Sequence, residues 1–160
     1  MAHFEKVSFG RYNLDTVHNR AEYNDIKLPE ISTAGSNGHD FFLPYNITIP
    51  FGGYVTVATG IRVILDKGEM LYITPRSGLG FKYGLTLANT IGNIDSDYSQ
   101  SENEGHIFVK IVNNSPIAEG KDVSLKKGEK FCQGTILNYI VADGANSTNI
   151  RNGGLGSTGL

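Results

Sequence analysis

Strong helix formers never line up at helical spacing along this chain, and glycine interrupts it 20 times in 160 residues, well above the usual share of about 7%. A chain punctuated this often is left with short strands and turns. Runs rich in Val, Ile, Tyr and Thr lie between Gly, Pro, Asn and Asp, and they predict strands over 46–49, 54–64, 70–74, 85–90, 106–113, 122–125 and 131–140. Their spacing predicts an all-β sandwich or barrel. One short helix is expected around 77–82, weakened by Gly78 and Gly80 at about 1 kcal/mol each relative to Ala. The polar stretch 13–25 reads as a long surface loop, and no internal repeat is evident.

With 160 residues and 39% hydrophobic content, the chain builds one domain with a real core and is too short for two ordinary ones. A net charge of −2 without a Lys/Arg cluster gives no sign of a basic surface for duplex nucleic acid or anionic membrane, so an anionic ligand needs a local site. The single cysteine, Cys132, excludes an internal disulfide framework. The polar start MAHFEKVSF lacks the apolar centre of a signal peptide, so the cytoplasm is the expected compartment. No apolar run approaches the roughly 20 residues that span a bilayer. Segments 99–105 and 142–160 are polar and nearly free of large apolar side chains, so burial cannot offset their ordering entropy and both read as mobile. The expected organisation is a β domain over 1–141 followed by a flexible arm over 142–160.

Three blocks concentrate chemistry. In TPRSGLG, 74–80, the Arg76 guanidinium, the Ser77 hydroxyl and the amides from Gly78 onward are compressed into one turn suited to phosphate oxygens. In GNIDSDYS, 92–99, Asp95 and Asp97 face the same side if the segment is extended, which suits a general base or a metal site. The terminal RNGGLGSTGL, 151–160, surrounds Arg151, Ser157 and Thr158 with glycines that let amides converge on an anion. It lacks the Gly-Lys-Ser/Thr end of a Walker loop. Taken singly, each block also reads as something ordinary: a Pro-Arg turn, an Asp-rich turn and a disordered Gly/Ser terminus. Two further segments, GSNGHDFF with Asp40 and GEKFCQG with Gln133, read alone as β-turn chemistry.

In the order GSNGHD, PRSG, GNIDSDY, GEKFCQ and RNGGLGSTG, these five blocks resemble the five motifs of the trimeric dUTPase family, and their joint occurrence makes the signal specific. The resemblance covers 28–160 and implies a single-domain, all-β, jelly-roll-like fold with a mobile Gly-rich C-terminal arm. It implies hydrolysis of dUTP to dUMP and pyrophosphate in sites shared between the subunits of a homotrimer. Asp95 is then the general base that takes a proton from the attacking water. Tyr98 lies against the deoxyribose and excludes a ribose 2′-hydroxyl. Asn89 meets uracil, with the hairpin around Ile94 reading the base edge. Arg76, Ser77, Gly78 and Gln133 contact the triphosphate, and Arg151, Leu155, Gly156, Ser157 and Thr158 belong to the arm that closes over it. Mg²⁺ binds mainly phosphate oxygens and waters, with Asp40 acting on it through a water.

This chain departs from the family pattern in several places. Leu155 stands where an aromatic usually covers the base, and the spacing from Arg151 to it is one residue short. Residues 99–104 intervene between Tyr98 and Gly105 and read as an inserted hairpin tip; Lys130 and Cys132 replace a common arginine and alanine. Such divergence is compatible with a phage-encoded member. Two rival readings stand beside this one. A dCTP deaminase shares the fold, although it usually follows its Ile-Asp with Pro-Gly where this chain has Ser96, Asp97 and Tyr98. A regulatory protein would keep the nucleotide pocket and use 99–105 to engage a protein partner.

Overall fold

The computed structural model describes residues 1–114, 116–145, 147, 151 and 153. Among them the chain runs from β1 (His3–Lys6) through two short helices, α1 (Phe9–Asp15) and α2 (Arg20–Asn24), into β2 (Glu30–Ile31), β3 (His39–Phe42), β4 (Ile47–Ile49), β5 (Gly53–Ala58), β6 (Ile61–Ile64) and β7 (Glu69–Pro75). Helix α3 (Ser77–Tyr83) follows, then β8 (Thr86–Leu87), β9 (Gly92–Ile94), β10 (Phe108–Asn113), β11 (Val123–Leu125) and β12 (Lys130–Asn138). The strands form a five-stranded sheet in the order β2-β3-β12-β7-β9, a three-stranded sheet β5-β10-β8, and the pairs β1-β6 and β4-β11. All these pairings are antiparallel. This is the all-β, jelly-roll-like architecture expected from the sequence.

Alternation along the strands builds the core. In β10, Val109, Ile111 and Asn113 are buried while Lys110 is exposed. Leu71 and Ile73 of β7 pack with Phe41 of β3 and Phe131 of β12 in the same apolar cluster, each worth about 1.5–3 kcal/mol in removed surface. Glycine is required at 134, where a Cβ would stand 2.8 Å from Leu71 Cδ1 and 3.0 Å from Phe41 Cε2. Both side chains close over the strand only because nothing projects there.

Several sequence expectations need correction. The single strand expected over 54–64 is two strands, because Thr59 and Gly60 break it and send the chain from one sheet to another. Thr59 Oγ1 donates to the Ile107 carbonyl at 2.8 Å and accepts from the Ile61 N–H at 3.0 Å, which satisfies the backbone at the corner. The stretch 13–25 is no loop: it contains the end of α1 and all of α2. Ser8 caps α1 by accepting from the Arg11 N–H, and Asn19 with Glu22 forms a complete capping box on α2. Tyr12 is fully buried, and Phe9 and Tyr12 both pack against Tyr23. Tertiary packing and caps therefore hold helices too short to be stable alone.

The segment 99–105 is likewise no projecting hairpin tip. It continues a 3-10 turn, Tyr98–Gln100, and folds back on α1. Glu104 accepts from the Ser8 N–H at 2.7 Å and from Ser8 Oγ at 2.6 Å. Next to it, His106 is fully buried; its Nε2 accepts from the Gly60 N–H at 2.8 Å, so Nδ1 carries the proton and donates to Asp15 at 2.6 Å. Arg11 Nε reaches the same carboxylate at 2.7 Å. Burial opposes the Asp15 charge, but the hydrogen bonds and charges of Arg11 and His106 outweigh it and hold the carboxyl below its ordinary pKa.

Burial also lowers the pKa of His106, a shift that the Asp15 carboxylate only partly offsets. The unfolded chain then takes up a proton near pH 6.5 that the folded chain refuses, so the stability from the neutral ring is full above that pH and lost as pH falls below it. Thermal unfolding at pH 7.5 and pH 5.5 should show a fall in midpoint for the native chain and a smaller fall for His106→Gln. An equal fall in both would mean that other groups carry the dependence.

Candidate active site

The expected site residues gather at two ends of one strand. At the C-terminal end of β7 the chain leaves Pro75, and Arg76 becomes the N-cap of α3. The amides of Ser77 and Gly78 open this helix, where backbone donors have no intrahelical acceptor. Both residues are exposed, and the space beside the Gly78 Cα is open. Asp40 on β3 lies directly across from Gln133 on β12, and Gln133 in turn faces Thr74 of β7. These pairings bring Asp40, Arg76, Ser77 and Gln133 to one corner.

Asp40 organises that corner. Its side chain is 7% exposed; Oδ1 stands 3.2 Å from Arg76 Nε, and Oδ2 stands 2.8 Å from Lys130 Nζ. Ser32 Oγ donates to the same Oδ2 at 2.6 Å and accepts from Lys130 Nζ at 2.6 Å. Burial opposes the Asp40 charge, but hydrogen bonds from Lys130 and Ser32 and the nearby cationic charges prevail and hold its pKa below the ordinary value. Beside the corner, a depression of 420 Å³ is lined by Arg76, Lys82 and Lys130 among others. Glu129 lines it too, so two carboxylates, Asp40 and Glu129, stand against three cations, a local positive excess in a chain of net charge −2 and the kind of place an anion seeks. Lys130 and Ser32 were absent from the expected set; the signal for Lys130 was its place in GEKFCQ, and Ser32 had none.

The second group sits at the other end of β7. Strand β9 pairs with β7 so that Ile94 lies opposite Leu71, which puts Asp95 level with Met70. The segment after Ile94 is a turn and not extended chain. Asp95 and Asp97 nevertheless converge, because both bind Arg151: its Nε donates to Asp97 Oδ1 at 2.9 Å, and its Nη2 reaches Asp95 Oδ2. The Arg151 guanidinium also lies 5.7 Å from the centre of the Tyr98 ring. Tyr98 is 6% exposed, and its hydroxyl points inward, donating to the His106 carbonyl at 3.0 Å. Asn89 is exposed in the turn that leads from β8 to β9, next to Thr90, whose φ is 66°. Leu155, Gly156, Ser157 and Thr158 lie outside the described residues.

The two groups do not meet within one chain. From Met70 to Arg76 is six residues, roughly 20 Å of extended strand, further than either side chain reaches. Among the described residues no three His, Cys, Asp or Glu side chains form a group able to hold a metal, and no helix among them is long and apolar enough to cross a membrane.

Comparison with known proteins gives this geometry a context. A family model described as dUTPase matches residues 24–159. The deoxyuridine 5′-triphosphate nucleotidohydrolase of Lactococcus lactis is 36% identical over 137 residues, covering 84% of this chain and 89% of that protein. The crystal structure of the Streptococcus mutans dUTPase is 32% identical, covers 88% of this chain and 98% of its own, and superposes with a TM-score of 0.69. At 18% identity, the Staphylococcus bacteriophage 80alpha dUTPase with dUpNHpp shares the fold, with a TM-score of 0.67 over 100% of this chain and 99% of its own. With a match that leaves only its first 23 residues and its last one outside, this chain belongs to the dUTPase family.

Proposed function

We propose that this chain hydrolyses dUTP to dUMP and pyrophosphate in sites assembled between the subunits of a homotrimer. The observation that carries the proposal is the separation of two complementary groups on β7: a basic corner for phosphates at one end, and exposed carboxylates beside a tyrosine at the other. Since roughly 20 Å of strand keeps Asp95 from Arg76, a neighbouring copy has to supply one to the other. A closed threefold arrangement gives every subunit the same neighbours.

In this reading Asp95 takes a proton from water as the water oxygen attacks the α-phosphorus, and the bond from that phosphorus to the bridging oxygen breaks to release pyrophosphate. Arg76, Ser77, Gly78 and Gln133 hold the phosphates, and Asp40 with Lys130 fixes the direction of the Arg76 guanidinium. Asn89 and the hairpin around Ile94 read uracil. Arg151 has to leave Asp95 before that carboxylate can activate water, and a triphosphate offers it an alternative anionic partner. Its departure also uncovers the Tyr98 ring for the deoxyribose, while the arm residues Leu155, Gly156, Ser157 and Thr158 close over the nucleotide. Mg²⁺ fits as an ion held by phosphates and waters, since Asp40 already meets Arg76, Lys130 and Ser32 and has room only for a water-mediated contact. When bound, it would neutralise phosphate charge beyond what the basic corner offsets. The side chains of Ser101, Asn103 and Glu104 bond inside the chain, which favours a structural role for 99–105 over partner binding.

Asp95→Asn should lower kcat for dUTP by a factor of about 10² to 10⁴ while nucleotide still binds. Pyrophosphate release, with dCTP, dTTP and UTP as controls, measures this. Near-normal turnover in Asp95→Asn together with loss in Asp97→Asn would move the base to Asp97.

Mixing tests the shared site. Arg76→Ala and Asp95→Asn subunits should each be inactive alone, yet unfolded and refolded together in equal amounts they should recover roughly a quarter of the native sites, because a fraction of interfaces pairs an intact Arg76 with an intact Asp95. No recovery from mixed trimers would return the site to a single chain.

Replacing Tyr98 by alanine should raise kcat/KM for UTP relative to dUTP. An unchanged ratio would remove Tyr98 as the sugar gate.

A further inference from the structure

Helix α1 and the segment 99–105, neither of which belongs to the five motifs, bond to each other, and the product of that contact is a fixed Tyr98. The phenol has one donor and one acceptor role to fill. It donates to the His106 carbonyl at 3.0 Å, and it accepts from Asn103 Nδ2 at 2.9 Å. Asn103 in turn is oriented from its other end: Oδ1 accepts from the Gly105 N–H at 3.1 Å, and Ser101 Oγ, 2.7 Å away, shares its one proton between that oxygen and the Tyr98 carbonyl at 2.5 Å. With its oxygen held by the Gly105 N–H, the amide presents its NH₂ to Tyr98.

The backbone that allows this is unusual and is held from outside. Glu104 has φ 59° and Gly105 has φ 74°, a left-handed pair that side chains disfavour. A Cβ at 105 would stand 2.6 Å from the Ser99 Cα, so the segment closes on itself only with glycine there. Glu104 tolerates its φ because both carboxylate oxygens are engaged by Ser8, the cap of α1. At the far end of the same helix Asp15 holds His106, whose carbonyl receives the Tyr98 hydroxyl.

We propose that Asn103 is a positioning residue for selectivity against ribose: through its hydrogen bond to the hydroxyl it sets where the Tyr98 ring stands, with α1 bracing the segment that carries it. This rests on the reading of Tyr98 as the sugar gate. A ring free to swing makes room for a 2′-hydroxyl, so loss of the bond should cost discrimination more than it costs turnover of dUTP.

The experiment compares kcat/KM for dUTP and UTP in the native chain, Asn103→Asp, Asn103→Leu, Tyr98→Phe, the double variant Asn103→Asp/Tyr98→Phe, Tyr98→Ala and, as a control on the exposed part of the segment, Glu102→Ala. Asn103→Asp keeps the size and the acceptor for Ser101 and Gly105 and replaces the donor to Tyr98 with a carboxylate oxygen, an acceptor that cannot make the native bond, so it remains informative if Asn103→Leu unfolds. The expected result is a rise of about five- to tenfold in the UTP/dUTP ratio for Asn103→Asp, the scale of one hydrogen bond, with Glu102→Ala unchanged. In the Tyr98→Phe background, where the hydroxyl is already gone, the same substitution should change the ratio less than about twofold. A raised ratio in Tyr98→Ala with an unchanged ratio in Asn103→Asp overturns the role of Asn103 and leaves the sugar gate standing. Full additivity with Tyr98→Phe overturns it too. An unchanged ratio in Tyr98→Ala overturns the sugar gate, and the positioning role falls with it.

Discussion

Seven consecutive pairings between β7 and β12, from Cys132 opposite Pro75 to Asn138 opposite Glu69, fix a rigid ruler through the middle of the five-stranded sheet. What hangs from its two ends cannot approach within the chain. At one end the ruler sets Arg76 beside Asp40 and Gln133; at the other, through β9, it sets Asp95 and Tyr98. A central strand buried on its core face by Leu71 and Ile73 does not bend to close such a gap. In the proposed reading a chain with this ruler completes its nucleotide site by association, and the oligomer becomes a condition for the proposed chemistry.

Polar segments in this fold are ordered by satisfying one another. The segment 99–105 has almost no apolar surface to bury, yet Ser101, Asn103 and Glu104 each find partners, and the partners of Glu104 lie on a helix that is itself short and polar. Each bond contributes only about 0.5–1.5 kcal/mol net, and neither element would be stable alone. Joined through Ser8 and Glu104 at one end and through Asp15 and His106 at the other, they stabilise each other, with the buried Tyr12 and His106 supplying the apolar contact that local sequence withholds.

Much of the fold was legible because strand signals are local. The runs around β7, β10 and β12 alternate or cluster apolar residues between turns, and the short helix at 77–83 follows a Pro-Arg turn. What escaped depends on distant partners. Strand β9 reads Gly-Asn-Ile and gains its pairing from β7, while α1 and α2 have modest propensity and depend on caps and on aromatic packing. The caps were written in the sequence as Ser8 and as Asn19 with Glu22, but a cap signal without an apolar stripe does not identify a helix. The corner around Asp40 was partly legible, since its motif residues carry phosphate chemistry. Ser32 and the orienting role of Asp40 were not, because they arise from β3 lying against β12 and from a side-chain geometry that spacing does not encode.

The proposed site contains two ionic clusters, and their exposure gives them opposite characters. Asp40 is 7% exposed and surrounded by Lys130, Arg76 and Ser32, so removing both of its cationic partners would strand a buried charge, at a cost of about 3–5 kcal/mol. That cluster is fixed furniture for the phosphates. Asp95 and Asp97 are 59% and 50% exposed where they meet the Arg151 side chain, itself 14% exposed, so solvent screens the carboxylate side of each pair and weakens it. Water can replace Arg151 at these carboxylates almost without loss, whereas a triphosphate gains a charge-assisted, bidentate partner from the same guanidinium. In the proposed reading the imbalance favours an Arg151 that rests on Asp95 and Asp97 of its own chain when no nucleotide is present and yields when one arrives. In the same reading Asp95, the proposed general base, is exposed yet covered by a contact cheap enough to be broken on each turnover.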